Sequence, residues 1–446
     1  MDDVKLMEIG ERLLHLAKKE GATDAVVSLN YEIEKSVTAR DGAIADVAHA
    51  ESLGCAVTAI IGARRGTVES TSLAPEDLAF AAKRAVSLAK VSTPNPYLRL
   101  STPLEWPCAM AELPARFREL KLCDGQPAPT LRMLKEYALA LDDVTRAYPR
   151  VSRTDGSAFG YSLSKDVSLT SNGFSGIETR THYTKSTTAI AEREGEMKSE
   201  TDSHHATHAD GLRSDEECVR RAGEYAVRQL GAKPIATAHM PVVFDNRIAS
   251  TLLGALVEAI GGESVYHKST FLLDQLGKRI FSKGVTISES PHVPMQPGSQ
   301  LYDDDGVKAT PWVLVDHGTL TMWMTTLESG AKLGIPSTGH ASGTSNLLLH
   351  PSAISRGDLI RDIAYGLLVT GIMGDGVNLA TGDYSVGAEG FLIEHGVITR
   401  PVNRVTIAGN LRDMFAGLVQ ASDLSDHPYG TNAPSCFIPN MMVGGE

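Results

Sequence analysis

Two segments in the second half of the chain, VLVDHGTLT (313–321) and FLIEHGVIT (391–399), share one pattern: an apolar run, an acid-His-Gly triplet and a second β-favouring run. β-branched and apolar residues suit a pleated, half-buried surface. A residue that tolerates positive φ, followed by glycine, closes two antiparallel strands in a tight turn. The pattern therefore predicts two equivalent hairpins and commits this region to antiparallel sheet. His317 and His395 are then turn residues chosen for their backbone, not ligands.

At 446 residues the chain is too long for one ordinary core and predicts two or three units at roughly 150 residues each. Leu6, Ile9, Leu13, Leu16 and Ala17 recur at helical spacing, and Gly21 supplies a stop, which predicts a helix over 3–20. Ala25, Val27, Leu29 and Tyr31 alternate as in a strand, with further strands around Arg40-Asp41-Gly42 and from Gly54 to Ile61. Pro75-Glu76-Asp77 opens another helix, completing a first α/β unit over 1–92. Residues 93–129 are proline-rich and aperiodic, as in a linker crossing the surface. The middle unit, 130–232, carries a helix (130–147) and strands around Asp166–Thr170 and Thr184–Ala191 with Asn172-Gly173 as the turn. Ser214 and Glu217 have capping-box spacing, and Gly231 fits the end of that helix. The last unit, 233–446, begins with a short strand (Pro241–Phe244) and a helix (247–260), then turns β-rich. The fold class read from this order is α+β: N-terminal α/β units, then a β-rich C-terminal domain with hairpins and a leading helix.

Charge narrows the partners. A formal net charge of -12 repels phosphate backbones and argues against direct nucleic-acid binding. No apolar segment has the length of a signal core or a membrane span, so the expected location is the cytoplasm. Cys55, Cys108, Cys123, Cys218 and Cys436 are dispersed without a CxxC pair and read as free thiols.

The chemistry-bearing motifs are incomplete. SHHATHAD (203–210) offers His204, His205 and His208, but polar residues surround them and no apolar stripe builds a supporting shell, so a polar loop or strand end is favoured over a metal site. YDDDGVKA (302–309) has consecutive acids where an EF-hand needs alternating ligands, which is turn chemistry. GHASG (339–343) lacks the spacing of a nucleophile elbow, and neither a Walker loop nor a GxGxxG fingerprint occurs.

Four longer stretches carry a resemblance: VYHKSTFLLDQLGKRIF (265–281), KLGIPSTGHASG (332–343), GLLVTGIMGDGVNLATGDYSVGAEGFLIEHG (366–396) and VTIAGNLRDMF (405–415). They resemble the TldD/PmbA family, historically labelled modulators of DNA gyrase, in its PmbA/TldE branch. Weaker similarity runs through GATDAVVSL (21–29) and RRGTVESTSLAPEDL (64–78), so the likeness covers almost the whole chain. It implies a heterodimeric metallopeptidase acting on unfolded or leader peptides, whose TldD-type subunit holds zinc through a helical HExxxH and a later cysteine. Here the matching stretch is TLLGALVEAIGG (251–262), which places Gly254 or Ala255, Ala255 or Leu256, and Ala259 or Ile260 at the ligand and base positions. None of these side chains binds zinc. Cys436 lies beyond the matching cysteine, in an apolar strand, and Glu258 reads as a structural or interface residue.

The resemblance thus implies a subunit without catalytic residues or metal of its own, zinc in a TldD-type partner, and an extended peptide as substrate. Candidate substrate or partner contacts are Lys268, Ser269, Ser337, Thr338, Gly339, His340, Gly382, Asp383, Tyr384 and Ser385, in polar or glycine-rich segments that serve equally as surface or as turn scaffold. Two other readings stay open: a self-sufficient metalloenzyme using His204, His205 or His208, and a non-enzymatic regulator that binds gyrase or another protein.

Overall fold

The computed structural model describes residues 1–424 and 430–445. Its first elements are helix α1 (Asp3–Lys19), strands β1 (Asp24–Arg40), β2 (Ala43–Ile61) and β3 (Arg64–Ser70), and helix α2 (Pro75–Val91). Helices α3 (Leu113–Leu120) and α4 (Leu131–Arg146), strands β4 (Val151–Thr170), β5 (Ser175–Arg193) and β6 (Glu196–Ala206), and helix α5 (Asp215–Arg228) follow. Because β1 pairs with β4, the first and middle segments share one antiparallel sheet of order β3-β2-β1-β4-β5-β6. Its apolar contacts are distributed along the strands: α1 and α2 cover Leu29, Val57 and Leu169, α4 covers Val37 and Ala39, and α5 covers Ala189 and Ala191.

Three local readings need correction. The strand expected around Arg40-Asp41-Gly42 is a hairpin turn: Arg40 pairs with Ala43, and Asp41 and Gly42 have φ of 48° and 82°. The charged run Glu32-Ile33-Glu34-Lys35 hid the rest of β1, which ladders to β2 and β4 hold extended. At the start of α5, Ser214 accepts from the Glu217 amide at 3.2 Å, but the Glu217 carboxylate turns to Arg220 at 2.8 Å, so only half of the capping box forms. Segment 93–129 also does more than cross the surface. It contains α3, and Leu113, Leu120 and Leu122 bury themselves against Leu301 of the C-terminal unit while Phe117 meets Tyr302 edge-on at 5.7 Å. A helix of two turns is too short to show its period in a proline-rich context.

The C-terminal unit opens with β7 (Ala238–Phe244), α6 (Ser250–Ala259), α7 (Gly262–Tyr266) and β8 (Ile287–Glu289). Next come β9 (Trp312–Asp316), β10 (Thr319–Leu320), α8 (Leu327–Leu333), β11 (Leu347–Leu349) and α9 (Arg356–Arg361). Strands β12 (Tyr365–Met373), β13 (Val377–Asn378), β14 (Asp383–Glu394) and β15 (Val397–Asn410) lead to α10 (Leu411–Gly417), β16 (Val419–Gln420), β17 (Thr431–Asn432) and β18 (Cys436–Gly444). A seven-stranded sheet ordered β12-β7-β18-β15-β14-β13, with β16 on β18, faces a five-stranded sheet ordered β10-β9-β8-β11-β17 across one large core. Both acid-His-Gly hairpins form as expected: His317 and His395 have φ of 45° and 52°, and the glycines after them 84° and 78°. No helix among the described residues is long and apolar enough to cross a membrane.

Candidate functional site

Helix α6 is held by its apolar face. Leu252, Leu253 and Leu256 are at most 2 % exposed, and full burial of each contributes roughly 1.5–3 kcal/mol. Its other face carries Thr251, Gly254 and Glu258, which helical spacing stacks on one side. This side forms one wall of a groove of about 290 Å³ whose remaining walls are Ile372, Gly374, Asp375, Gly376, Val377, Tyr384 and Val386. A Cβ on Gly254 would meet nothing within 4 Å, so that wall is open. Gly376 is needed for the opposite reason: a Cβ there would lie 1.6 Å from the Ser385 carbonyl oxygen, which accepts no such intrusion.

Three residues with polar side-chain groups line this groove beside Thr251. Tyr384, on β14, is 4 % exposed, and its hydroxyl has no hydrogen-bond partner among the described residues. Burial raises its pKa, so the phenol stays protonated and remains a donor. The Glu258 and Asp375 carboxylates are exposed and form neither a hydrogen bond nor an ion pair with described residues. Glu258 came out of the sequence only as a structural or interface residue, and Asp375 was missed altogether. The signal for Asp375 is its glycine flanks in MGDGV, which mark a turn with room around the acid.

The groove does not suit zinc. Of the positions aligned with the resembling ligands and base, Leu256, Ala259 and Ile260 are fully buried and Ala255 is 7 % exposed. None of them, nor Gly254, carries a nitrogen, oxygen or sulfur donor in its side chain, and zinc sites are built from imidazole, thiolate and carboxylate. Among the described residues no group of three His, Cys, Asp or Glu is arranged to hold a metal. Cys436 is a buried residue of β18 whose thiol donates to the Pro434 carbonyl at 3.3 Å, with its pKa pushed up by burial.

The other sequence candidates divide into three places. Gly382 ends the turn before β14 and Asp383, Tyr384 and Ser385 start that strand, where Asp383 accepts from Thr381 Oγ1 at 2.7 Å and Asn410 Nδ2 at 3.1 Å, bonds that hold its carboxyl below the usual range. Lys268 and Ser269 follow α7 on the surface, and this segment reaches the same turn through Phe271, whose amide donates to the Leu379 carbonyl at 2.7 Å. Ser337, Thr338, Gly339 and His340 lie in the loop between α8 and β11, bonded to β8 and β9 of the five-stranded sheet. His340 is 7 % exposed and bonds Thr338 Oγ1 through Nδ1 and Glu289 Oε1 through Nε2, both at 2.7 Å. The Thr338 carbonyl in turn accepts from Trp312 Nε1 at 3.0 Å, and Ser337 accepts from the Gly339 amide. Tyr384 is the sequence candidate that faces the groove with an unused polar atom.

His204 and His205 lie at the end of β6, as a strand-end reading expects, yet they are not solvated loop residues. His204 Nδ1 accepts the Arg213 amide at 3.1 Å and His205 Nδ1 is 3.0 Å from His182 Nε2. His208 Nδ1 sits 3.1 Å from Thr207 Oγ1. Burial lowers the His182 pKa, favouring a neutral ring beside His205. The acids of 302–309 are turn residues, as expected: Asp303 is 1 % exposed and takes the amides of Asp305, Val307 and Ala341 at 2.8–3.0 Å. Burial raises its pKa to about 6.

Family models match in three consecutive blocks: PmbA/TldA metallopeptidase domain 1 over 25–89, the central domain over 126–230 and the C-terminal domain over 237–445. Metalloprotease PmbA of Escherichia coli O157:H7 is 31% identical over 417 residues, covering 92% of this chain and 90% of that one. A PmbA homolog of Haemophilus influenzae is 29% identical, covering 97% and 94%. Among solved structures, a putative modulator of DNA gyrase from Bacteroides thetaiotaomicron superposes with a TM-score of 0.90 at 25% identity, covering both chains completely. TldE from Thermococcus kodakarensis shares the fold, with a TM-score of 0.82 at 20% identity over 98% of this chain and 100% of that one. With its order of domains, its two-sheet C-terminal unit and this degree of identity over nearly its full length, the chain belongs to the PmbA/TldD metallopeptidase family.

Proposed function

We propose that this chain is the zinc-free, PmbA/TldE-type subunit of a two-chain cytoplasmic peptidase that cleaves unfolded or leader peptides. The observation that carries the reading is α6: the helix and the groove beside it are intact, while the positions aligned with the resembling metal motif are glycine, alanine, leucine or isoleucine. Zinc then belongs to a TldD-type partner, and no step of hydrolysis runs through residues of this chain. What the chain contributes is enclosure and part of the peptide path. An extended substrate engaged largely through its backbone fits an enzyme that tolerates different sequences. Five free cysteines fit a reducing compartment.

The test is zinc content and turnover of an unstructured peptide by this chain alone, by the TldD-type chain alone and by the mixture. The reading expects zinc to follow the TldD-type chain and turnover to require both. Stoichiometric zinc and turnover with this chain alone would replace it with the metalloenzyme reading, and the first residues to substitute would be His204, His205 and His208.

A further inference from the structure

We propose that the α6 groove is a peptide subsite selective for a cationic nitrogen, either a lysine or arginine side chain or a free α-ammonium, on an extended chain whose carbonyl accepts from Tyr384. The inference deepens the peptidase-subunit reading by naming the substrate chemistry that this chain selects, but it stands on its own geometry.

Two carboxylates, Glu258 and Asp375, face one groove without a cation opposite either of them among the described residues. A ligand cation held in the groove gains charge-assisted hydrogen bonds to the carboxylates that line it, which are shorter and stronger than neutral ones. The acids alone would be a solvated surface feature. The independent observation is Tyr384, which lines the groove and whose buried hydroxyl has no acceptor among the described residues. A buried hydroxyl left unpaired costs about 1–3 kcal/mol, so its position is explained by an acceptor that arrives with a ligand.

A peptide supplies both complements, with a carbonyl for the phenol and a cation for the carboxylates. The floor of Ile372, Val377 and Val386 takes the apolar part of the same residue or its neighbour. The bare surface at Gly254 lets a backbone approach the helix where any side chain would stand in the way. The hydroxyl is buried, so a carbonyl reaches it only when a wall of the groove yields, and Gly374, at φ 83° beside Asp375, is a wall residue with glycine's backbone freedom.

The experiment measures binding of a short unstructured Ala/Ser/Leu peptide carrying one Lys and a C-terminal fluorophore to the full chain, by fluorescence anisotropy. The same peptide with norleucine for Lys, and with an acetylated N-terminus, separates the two sources of the cation. Whichever replacement weakens binding identifies the group that is read. Tyr384→Phe is expected to weaken binding about fivefold, the worth of one hydrogen bond, without lowering folding stability. Glu258→Gln with Asp375→Asn is expected to weaken it about tenfold and to flatten its salt dependence.

Binding that neither substitution changes, or no saturable binding up to about 1 mM, overturns the proposal. The outcomes separate it from the subunit reading. A zinc-dependent mixture that is active while these variants bind peptide normally sinks only the subsite. Loss of peptide binding in the variants, with turnover by this chain alone, sinks only the subunit assignment.

Discussion

Replacing His340 by alanine removes an imidazole that is 7 % exposed and bonded through both ring nitrogens. Glu289, itself 4 % exposed, keeps the Ser345 amide and hydroxyl on Oε2 at 3.0 and 3.2 Å but loses the only hydrogen-bond partner of Oε1 among the described residues. Thr338 Oγ1 loses its 2.7 Å contact to the ring and keeps that to the Thr325 amide. Breaking a buried pair so that one partner remains costs about 3–5 kcal/mol, because the carboxylate stays desolvated while its attraction is gone. With an m-value of about 3 kcal/mol/M, the urea midpoint should fall by about 1–1.7 M.

Equilibrium unfolding in urea, followed by tryptophan fluorescence, reads this directly, since Trp312 donates to the Thr338 carbonyl in the same network. Glu289→Gln, which keeps the shape and removes the charge, should lose less. Peptide binding per folded molecule should be unchanged in both variants. A midpoint shift under about 0.3 M for His340→Ala would refute the reasoning. Weakened peptide binding without loss of stability would return STGHASG to the list of contact segments.

Three further outcomes follow from the geometry. Gly376→Ala should lose about 2 kcal/mol or more and weaken peptide binding, since its Cβ would lie 1.6 Å from the Ser385 oxygen; thermal unfolding and the anisotropy assay check the two effects. Asp303 has its folded pKa raised from 3.8 to about 6, so its stabilising contribution is complete below about pH 4 and is lost as pH rises through about 6. Urea midpoints across that window should show the wild type's advantage over Asp303→Asn growing toward acid. Combined His204→Ala, His205→Ala and His208→Ala should leave the zinc content of the two-chain mixture unchanged, as measured by elemental analysis of the folded protein.

Local patterns that need only their own residues were legible in the sequence. The acid-His-Gly hairpins, α1 with its buried stripe, the Asp303 turn and the absence of metal donors along α6 all depend on periodicity, backbone preference or side-chain chemistry within a few positions. Family likeness added that α6 is the helix where the metal motif of the TldD-type subunit would stand. The distal half of β1 was not legible, because strands on both sides hold its charged residues extended. Nor was α3, whose burial depends on Leu301 nearly two hundred residues away in the chain. His340 shows the same limit. Its segment reads equally as surface or scaffold until Glu289, on β8, takes its Nε2.

Composition and spacing alone determined the α+β class and the paired hairpins, since these are set by each residue's conformational preferences, and the resemblance pointed to the helix where a zinc motif is replaced by apolar residues. Tertiary structure decided that the first two segments share one sheet, that His204 and His205 pack at the end of β6, and that Glu258, Asp375 and Tyr384 line one groove. Glu258 and Tyr384 are separated by well over a hundred residues and brought together by burial of the opposite face of α6. Such meetings depend on which apolar surfaces pack against each other, and no local pattern along the chain encodes that.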